Sequence, residues 1–162
     1  MGSLAYRFVA AEAVWPLRRA CLRPHQPPAA SRYPFDADPA CFHVAAVQDE
    51  AIVGVSTYFP ETQPTIESRG AFRLRGMATH PDFRRRGIGS GMLRTAEARV
   101  FAEAEVLWCN ARRSAYAFYE RMGFSIASDE FEIDGIGPHR VMLKRAPRPR
   151  QKKRWGESHR RG

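Results

Sequence analysis

The sequence predicts a single α/β domain in which a mixed β-sheet carries helices on both of its faces. Ten predicted elements follow one another as strand, helix, three strands, helix, strand, helix and two strands, an order typical of this class. The chain has 162 residues, of which 44% are apolar, enough for one hydrophobic core of ordinary size. No internal repeat or second apolar region indicates a further domain.

Apolar and β-branched runs bounded by turn-forming residues predict the strands. They are Leu4–Val9, Cys41–Val47, Ile52–Phe59, Ala71–Thr79, Glu105–Cys109, Phe124–Ile133 and Val141–Leu143. The second and third are joined across residues 48–50, which predicts a hairpin. In the fourth strand, simple alternation places Arg73, Arg75 and Met77 on one face of the sheet.

Apolar residues at helical spacing predict three helices, Ala11–Leu22, Gly87–Ala104 and Arg112–Met122. The second helix has a single apolar stripe, formed by Ile88, Met92, Leu93, Ala96 and Val100. Gly123 is the predicted C-cap of the third helix. Between the first helix and the second strand, Arg23–Pro39 contains five prolines, which predicts a loop with at most one helical turn.

The net charge of +9 is concentrated at the C-terminal end of the chain. Residues 144–162 contain nine Lys or Arg and one acid, Glu157, so the rest of the chain is nearly neutral. We therefore predict a folded domain over residues 1–145 and a basic, disordered tail over 146–162. The tail is either an arm for nucleic acid or anionic lipid, or a solvated segment without a partner. Because no aromatic residues interleave the charges, we expect nucleic-acid binding to be weak at most.

Other sequence features predict a reduced, cytoplasmic protein without a metal site. Cys21, Cys41 and Cys109 are far apart and form no Cys-x-x-Cys pair, which disfavours a disulfide framework or a zinc knuckle. The five histidines show no ligand spacing. No apolar run approaches the ~20 residues of a membrane-spanning helix, and no secretory signal is visible.

The most informative segment is Met77–Gly91, where a strand ends, three arginines follow and glycines open a helix. Glycines let backbone N–H groups approach an anion, and a helix N-terminus adds positive potential. The segment therefore predicts a phosphate or pyrophosphate cradle. A Walker loop is excluded because no Gly-Lys-Ser/Thr follows, and a dinucleotide fingerprint fits poorly because Met92 stands at the third glycine position.

Arg84-x-x-Gly87-x-Gly89 directly after a strand resembles the acetyl-CoA signature of the GNAT superfamily of acyl-CoA N-acyltransferases. Leu107–Asn110 and Ser114–Phe124 are similar to the family's second motif, and Gly135–Met142 resembles an ElaA-type ending. The resemblance covers residues 4–145. It implies a mostly antiparallel sheet splayed in the middle, and acetyl transfer from acetyl-CoA to an amine without a metal.

The resemblance also implies roles for particular residues. The backbone of Met77, Ala78 and Thr79 is expected to pair with the pantetheine arm, which Asn110 contacts from the other side of the splay. Tyr119 is the implied general acid near the thioester sulfur, with Phe118 beside it. The pyrophosphate is expected to be held by Arg84, Arg85, Arg86, Gly87, Ile88, Gly89 and Ser90.

The helical spacing of Ala115, Phe118, Tyr119 and Met122 turns Tyr119 inward, so a core tyrosine bonded to the backbone is the alternative to a catalytic role. The amine must lose a proton before it attacks. The strand 71–79 contains no carboxylate, so the sequence does not identify the general base that accepts the amine proton. His139, with an ordinary pKa near ~6.5, is a candidate relay or else a residue that pins the last hairpin.

Two arginines are candidates for binding the acceptor. Arg75 is directed toward the acceptor, where it would favour an anionic or carboxylate-bearing substrate, or it is a surface guanidinium. Arg73 is better interpreted as a surface residue. Arg18 on the first helix lines the acceptor cleft or is solvated.

The sequence therefore predicts direct acetyl transfer to a primary amine of a small molecule or peptide, in a ternary complex. An acyl-enzyme on Cys109 is a less favoured route, because that strand is of the buried type. The alternative from another class is a non-catalytic acyl-CoA-binding or nucleic-acid-associated module. Both a monomer and a homodimer remain open.

Overall fold

A computed structural model describes residues 2–148 as an eight-stranded sheet with three α-helices. The strands are β1 Leu4–Val9, β2 Phe42–Gln48, β3 Ala51–Pro60, β4 Ala71–Thr79, β5 Val106–Arg112, β6 Ser125–Ile126, β7 Phe131–Ile133 and β8 Gly137–Arg145. The helices are α1 Ala11–Leu22, α2 Ile88–Glu103 and α3 Tyr116–Arg121. Most of the predicted basic tail, residues 149–162, lies outside the described part of the chain.

The sheet has the order β1-β2-β3-β4-β5-β8-β6, and β7 also pairs with β8. Every pair is antiparallel except β4 with β5. This parallel pair is short, because its last partners are Arg73 and Trp108. Beyond them β4 continues on β3 as far as Thr79, and β5 continues on β8 as far as Arg112. The predicted splay in the middle of a mostly antiparallel sheet is confirmed.

The helices cover opposite faces of the sheet, as predicted. Helix α1 packs Val14 and Leu17 against Val55 and Ala78 on one face. Helices α2 and α3 lie on the other face. The predicted stripe of α2 is buried throughout: Ile88, Met92, Leu93, Ala96 and Val100. Each such side chain contributes roughly 1.5–3 kcal/mol of transfer free energy, so this stripe fixes α2 over the centre of the sheet.

The third helix is shorter than the sequence predicts. Strand β5 extends to Arg112, which pairs with His139, and a 3-10 turn over Arg113–Ala115 precedes α3. The helix ends before Gly123, whose φ of 90° allows the chain to reverse, as predicted for a C-cap. The predicted strand Phe124–Ile133 is also interrupted, and forms β6 and β7 instead.

A β-bulge at Gly76 changes which side chains share a face of β4. Arg75 pairs with Thr57 and Ala78 pairs with Val55, so Gly76 and Met77 together oppose one residue of β3. Gly76 has a φ of 62°, which favours glycine. The extra residue turns Met77 toward the α2 cluster, whereas Arg75 lies against Tyr33 on the other face. The prediction that Met77 shares a face with both arginines is therefore wrong.

A buried ion pair fixes the proline-rich loop to the sheet. The Arg18 guanidinium has no exposed surface and lies 2.7 Å from the Asp36 carboxylate. Arg18 also donates to Thr57 Oγ1 at 2.6 Å, and Asp36 accepts from the indole N–H of Trp15 at 2.9 Å. Because these contacts are all internal, Arg18 does not line an open acceptor cleft, which corrects the prediction. Its role is to hold α1, the loop and β3 together.

We expect Asp36→Asn to lower the free energy of unfolding by about 3–5 kcal/mol, because it leaves Arg18 as an uncompensated buried charge. The double variant Arg18→Met/Asp36→Leu removes both charges, so it should be more stable than Asp36→Asn. Urea denaturation measures all three proteins. A double variant less stable than Asp36→Asn would contradict this role for the pair.

The same carboxylate gives an expected pH dependence. Burial alone would raise the pKa of Asp36, but hydrogen bonds from Arg18, Tyr33 and Trp15 outweigh it and lower the pKa. A lowered pKa in the folded state stabilises the fold above the unfolded value of about 3.9, and this contribution is lost as the pH falls further. Stability measured from pH 6 to pH 2 should therefore fall less steeply in Asp36→Asn than in the unsubstituted protein.

Candidate active site

The gap between β4 and β5 leaves one edge of β4 without a strand partner. From Leu74 to Thr79, no strand in residues 2–148 pairs with the side of β4 that faces β5. Backbone N–H and C=O groups at such an edge need hydrogen-bond partners. A ligand with amide groups along an extended chain can supply them. The predicted pantetheine contacts at Met77, Ala78 and Thr79 lie on this edge.

The N-terminus of α2 follows β4 after a short connection, and its first backbone N–H groups have no partner within the helix. Arg85 and Gly87 both have positive φ, 64° and 75°, and Gly87 caps the helix without a side-chain hydrogen bond. Successive N–H groups in such a conformation form an anion-binding concavity, which the helix dipole reinforces. Arg84, Arg85 and Arg86 are exposed around it. This arrangement fits the predicted pyrophosphate cradle.

Two glycines in this segment have different structural requirements. A Cβ added at Gly87 would meet no atom within 4 Å, so the space in front of the helix is open. A Cβ added at Gly89 would lie 3.3 Å from Cζ of Phe118. Gly89 therefore allows α2 to approach α3, and Ile88 beside it is buried while Ser90 is partly exposed.

Tyr119 is buried on the α2 side of the sheet, with 7% of its surface exposed. Its ring packs edge-on against Phe118 at 5.1 Å, and its hydroxyl lies beside the thiol of Cys109. Burial raises the pKa of Tyr119 well above its ordinary value, and Cys109 and Tyr58 add to the rise. The hydroxyl therefore keeps its proton through the neutral and alkaline range.

His139 lies on the opposite face of the sheet from Tyr119. It shares the face of Val141, which packs with Trp108, whereas Met142, the next residue of β8, belongs to the α2 cluster. Its Nδ1 lies 2.7 Å from the carbonyl oxygen of Gly137, so Nδ1 donates and Nε2 is left as the acceptor in the neutral ring. This bond pins the start of β8, as one interpretation predicts, and the ring is buried.

The face of the sheet that carries α1 also holds the two β4 arginines. Arg73 forms a 2.9 Å ion pair with Glu61 and stacks on Trp108. Arg75 lies beside the bulge and stacks on Tyr33, with 4.6 Å between its Cζ and the ring centroid. By strand alternation the side chain of Asn110 projects to this face, because Cys109 and Ala111 belong to the α2 cluster.

Sequence reasoning missed several residues near the gap. Tyr33 and Phe35 were not distinguished within a loop defined by its prolines. Ser56 and Tyr58 carry buried hydroxyls without a hydrogen-bond partner in residues 2–148, facing α2 beside the bulge. In the loop, the sequence signal that could have found Tyr33 and Phe35 is that both aromatic residues flank a proline, Pro34. For Ser56 and Tyr58 the sequence gave none, because both lie within an apolar strand.

Asp36, Cys41 and His43 place one ligand-type atom each within 4.8 Å of one another in the interior. Both Asp36 oxygens already accept hydrogen bonds from Arg18, and His43 Nδ1 lies 2.7 Å from Thr57 Oγ1. These contacts account for the cluster as part of the ion-pair network that holds the loop.

Comparison with known proteins agrees with this geometry. Residues 11–124 match the model of the Acetyltransferase (GNAT) family. The uncharacterized N-acetyltransferase YitI of Bacillus subtilis (strain 168) is 34% identical over 143 residues, which cover 87% of this chain and 95% of that protein. Because the family model covers most of the chain and this relative is similar over nearly its whole length, the chain belongs to the GNAT acetyltransferase family.

Solved structures show the same fold at low identity. Escherichia coli ElaA has a TM-score of 0.66 at 14% identity, covering 88% of this chain and 99% of that one. An aminoglycoside 6'-N-acetyltransferase complexed with coenzyme A has a TM-score of 0.68 at 17% identity, covering 86% of this chain and 92% of that one.

Among residues 2–148, no helix is long and apolar enough to cross a membrane.

Proposed function

We propose that the protein is an N-acetyltransferase that transfers the acetyl group of acetyl-CoA to a primary amine of a small molecule or peptide. The observation that carries this proposal is the open edge of β4, which leads directly to the exposed N–H groups of α2. Family membership supports acyl transfer, and a structural neighbour that holds coenzyme A supports this type of donor.

The donor fits the gap by its chemistry. Its pantetheine arm carries two amides, which match those backbone groups of the segment Met77–Thr79 that face the gap rather than β3. Its pyrophosphate matches the concavity at residues 84–90, where three guanidinium groups surround the helix N-terminus. Asn110 borders the arm from β5. Phe118 supports this part of the site, because it packs on Gly89.

We assign the two proton transfers of the reaction to opposite faces of the sheet. We assign the amine to the α1 face of the gap, because the polar side chains of Arg75 and His139 lie on that face, whereas Met77 and Phe118 pack with the apolar cluster on the α2 face. There, Nε2 of His139 is the group we assign to relay the amine proton. On the other face Tyr119 protonates the departing thiolate. Strand β4 contains no carboxylate, so we assign no base other than His139.

Direct attack in a ternary complex is favoured over an acyl-enzyme by the state of Cys109. Its thiol is 2% exposed, and burial raises its pKa to about 12. A protonated, inaccessible thiol is a poor nucleophile. Bisubstrate kinetics should therefore give intersecting rather than parallel double-reciprocal lines.

A non-catalytic acyl-CoA-binding module is the second candidate, favoured by the missing strand carboxylate alone. Mass spectrometry of amines incubated with the protein and acetyl-CoA, with release of free coenzyme A monitored, separates the two candidates. An N-acetylated product supports the enzyme. Binding of acetyl-CoA without any product over a broad amine panel supports the module.

We also propose a cytoplasmic location, consistent with Cys21, Cys41 and Cys109 all being free thiols. A monomer or homodimer would suffice, since the gap is formed within one chain. The tail over residues 146–162 is proposed to lie apart from catalysis. Nucleic-acid binding, if present, should reside in that tail and weaken with salt.

A first prediction concerns the phosphate cradle. Gly87→Glu places a carboxylate in the open space before α2, so we expect loss of acetyl-CoA binding by titration calorimetry. The matched control is Gly135→Glu, because Gly135 has nearly the same φ, 74°, and equally open surroundings. Both variants should lose similar stability, about 1–2 kcal/mol from the left-handed conformation. Equal affinity in the two variants would contradict the assignment.

A second prediction concerns the acid. Tyr119→Phe should lower kcat by about 10²–10⁴-fold, with little change in acetyl-CoA affinity, because only the proton donor is removed. Since the raised pKa keeps Tyr119 protonated, activity of the unsubstituted enzyme should show no alkaline fall from this group below pH 10. The control Tyr116→Phe removes a hydroxyl that bonds Glu130 at the surface and should retain kcat. A normal kcat in folded Tyr119→Phe would leave solvent as the acid.

A further inference from the structure

Arg75 is a half-buried charged residue at the gap that forms no ion pair with any residue in 2–148. Its side chain is half-buried just beyond the last β4–β5 pair. No hydrogen bond or ion pair joins its guanidinium to any described residue, whereas neighbouring Arg73 has Glu61. Burial lowers the pKa of Arg75, and the positive charges of Arg73 and Arg23 act in the same direction. A partly desolvated cation without a partner is costly unless an anion binds it.

The surroundings hold this guanidinium in one orientation. Its Cζ lies 4.6 Å from the ring centroid of Tyr33 and 5.7 Å from that of Phe35. Phe35 in turn stacks on Phe59 of β3 with centroids 3.7 Å apart. The backbone N–H of Tyr33 donates to Asp36 at 2.9 Å, so the buried ion pair anchors the loop that carries both aromatic rings. Contact with these rings leaves the N–H groups of the guanidinium without a partner in residues 2–148.

The position of Arg75 indicates which ligand it meets. Arg75 lies on the α1 face of the sheet. The cradle at residues 84–90 includes the first residues of α2, and the rest of that helix covers the opposite face. The proposed amine approaches from the α1 face. An anion on Arg75 therefore belongs to the acceptor rather than to the phosphates of the donor.

We propose that the acceptor is an amine that also carries a carboxylate, and that Arg75 binds this carboxylate and so determines specificity. The inference rests on the proposed acetyl transfer and adds the chemical class of its acceptor. A planar carboxylate fits the N–H edge of a guanidinium through two parallel hydrogen bonds. Arg73 is neutralised by Glu61 and is not part of this subsite.

The test compares the L-amino acids with their carboxamides, which keep the amine and remove the negative charge. The first readout is kcat/KM from thiol release. The second is the rise in Tm that each compound causes, with and without coenzyme A. We expect amino acids to exceed their carboxamides by about 10–100-fold in kcat/KM, the worth of a charge-assisted hydrogen-bonded pair.

Variants assign the preference to Arg75. Arg75→Gln should abolish it by raising KM for the amino acids, while affinity for acetyl-CoA stays unchanged, and Arg75→Lys should retain part of it. The matched control is Arg32→Gln, because Arg32 also stacks on an aromatic ring, Trp15 at 4.5 Å, but is exposed. Arg32→Gln should keep the full preference.

The outcomes are distinct. Equal rates for acids and carboxamides, or a preference that survives Arg75→Gln, overturns the proposal. Faster acetylation of O-phosphoethanolamine than of β-alanine, lost in Arg75→Gln, overturns the carboxylate in favour of a phosphate. If neither acetyl-CoA binding nor turnover is found, the proposed function fails. The Tm measurement then still decides whether Arg75 forms an anion site. A rise in Tm that requires the carboxylate and is lost in Arg75→Gln supports the site. No such rise in Tm overturns it.

Discussion

The early end of the pairing between β4 and β5 is the constraint on which the whole site depends. Three residue pairs hold these parallel strands together, and after Arg73 each strand follows its antiparallel neighbour instead. The backbone groups released by the separation cannot be paired within the sheet. The chain thus carries an open strand edge in its centre, beside a helix N-terminus whose N–H groups are also free.

The bulge at Gly76 adapts the side chains to this opening. Because two residues of β4 oppose one of β3, Met77 turns under α2 while Arg75 stays on the α1 face. The same site brings β4 close to the buried ion pair, since a Cβ on Gly76 would lie 2.9 Å from Nε of Arg18. Substitution there would disturb the network that orders Tyr33. The loop, the bulge and the α1 side of the gap are therefore mechanically connected.

The sequence predicted most of the fold, because β1, α1, β4 and the stripe of α2 follow regular periodicity and clear breakers. Its errors came from contacts between distant residues. Pairing of Arg112 with His139 draws the start of the predicted third helix into β5. The bulge makes simple alternation of side chains fail at Met77. Arg18 is buried because it pairs with Asp36, which lies 18 residues away in the sequence. The cradle followed from local glycines and arginines, whereas Tyr33 and Phe35 required knowing where the loop folds back.

Amide hydrogen exchange by NMR tests the central claim, that the open edge of β4 and the start of α2 together bind the donor. Coenzyme A should slow exchange of the gap-facing amides in residues 74–79 and of amides in residues 85–90. Exchange in β1 and β2, which lie far from the gap, should stay unchanged. Slowing confined to other elements, or saturating binding without protection of either segment, would contradict the account.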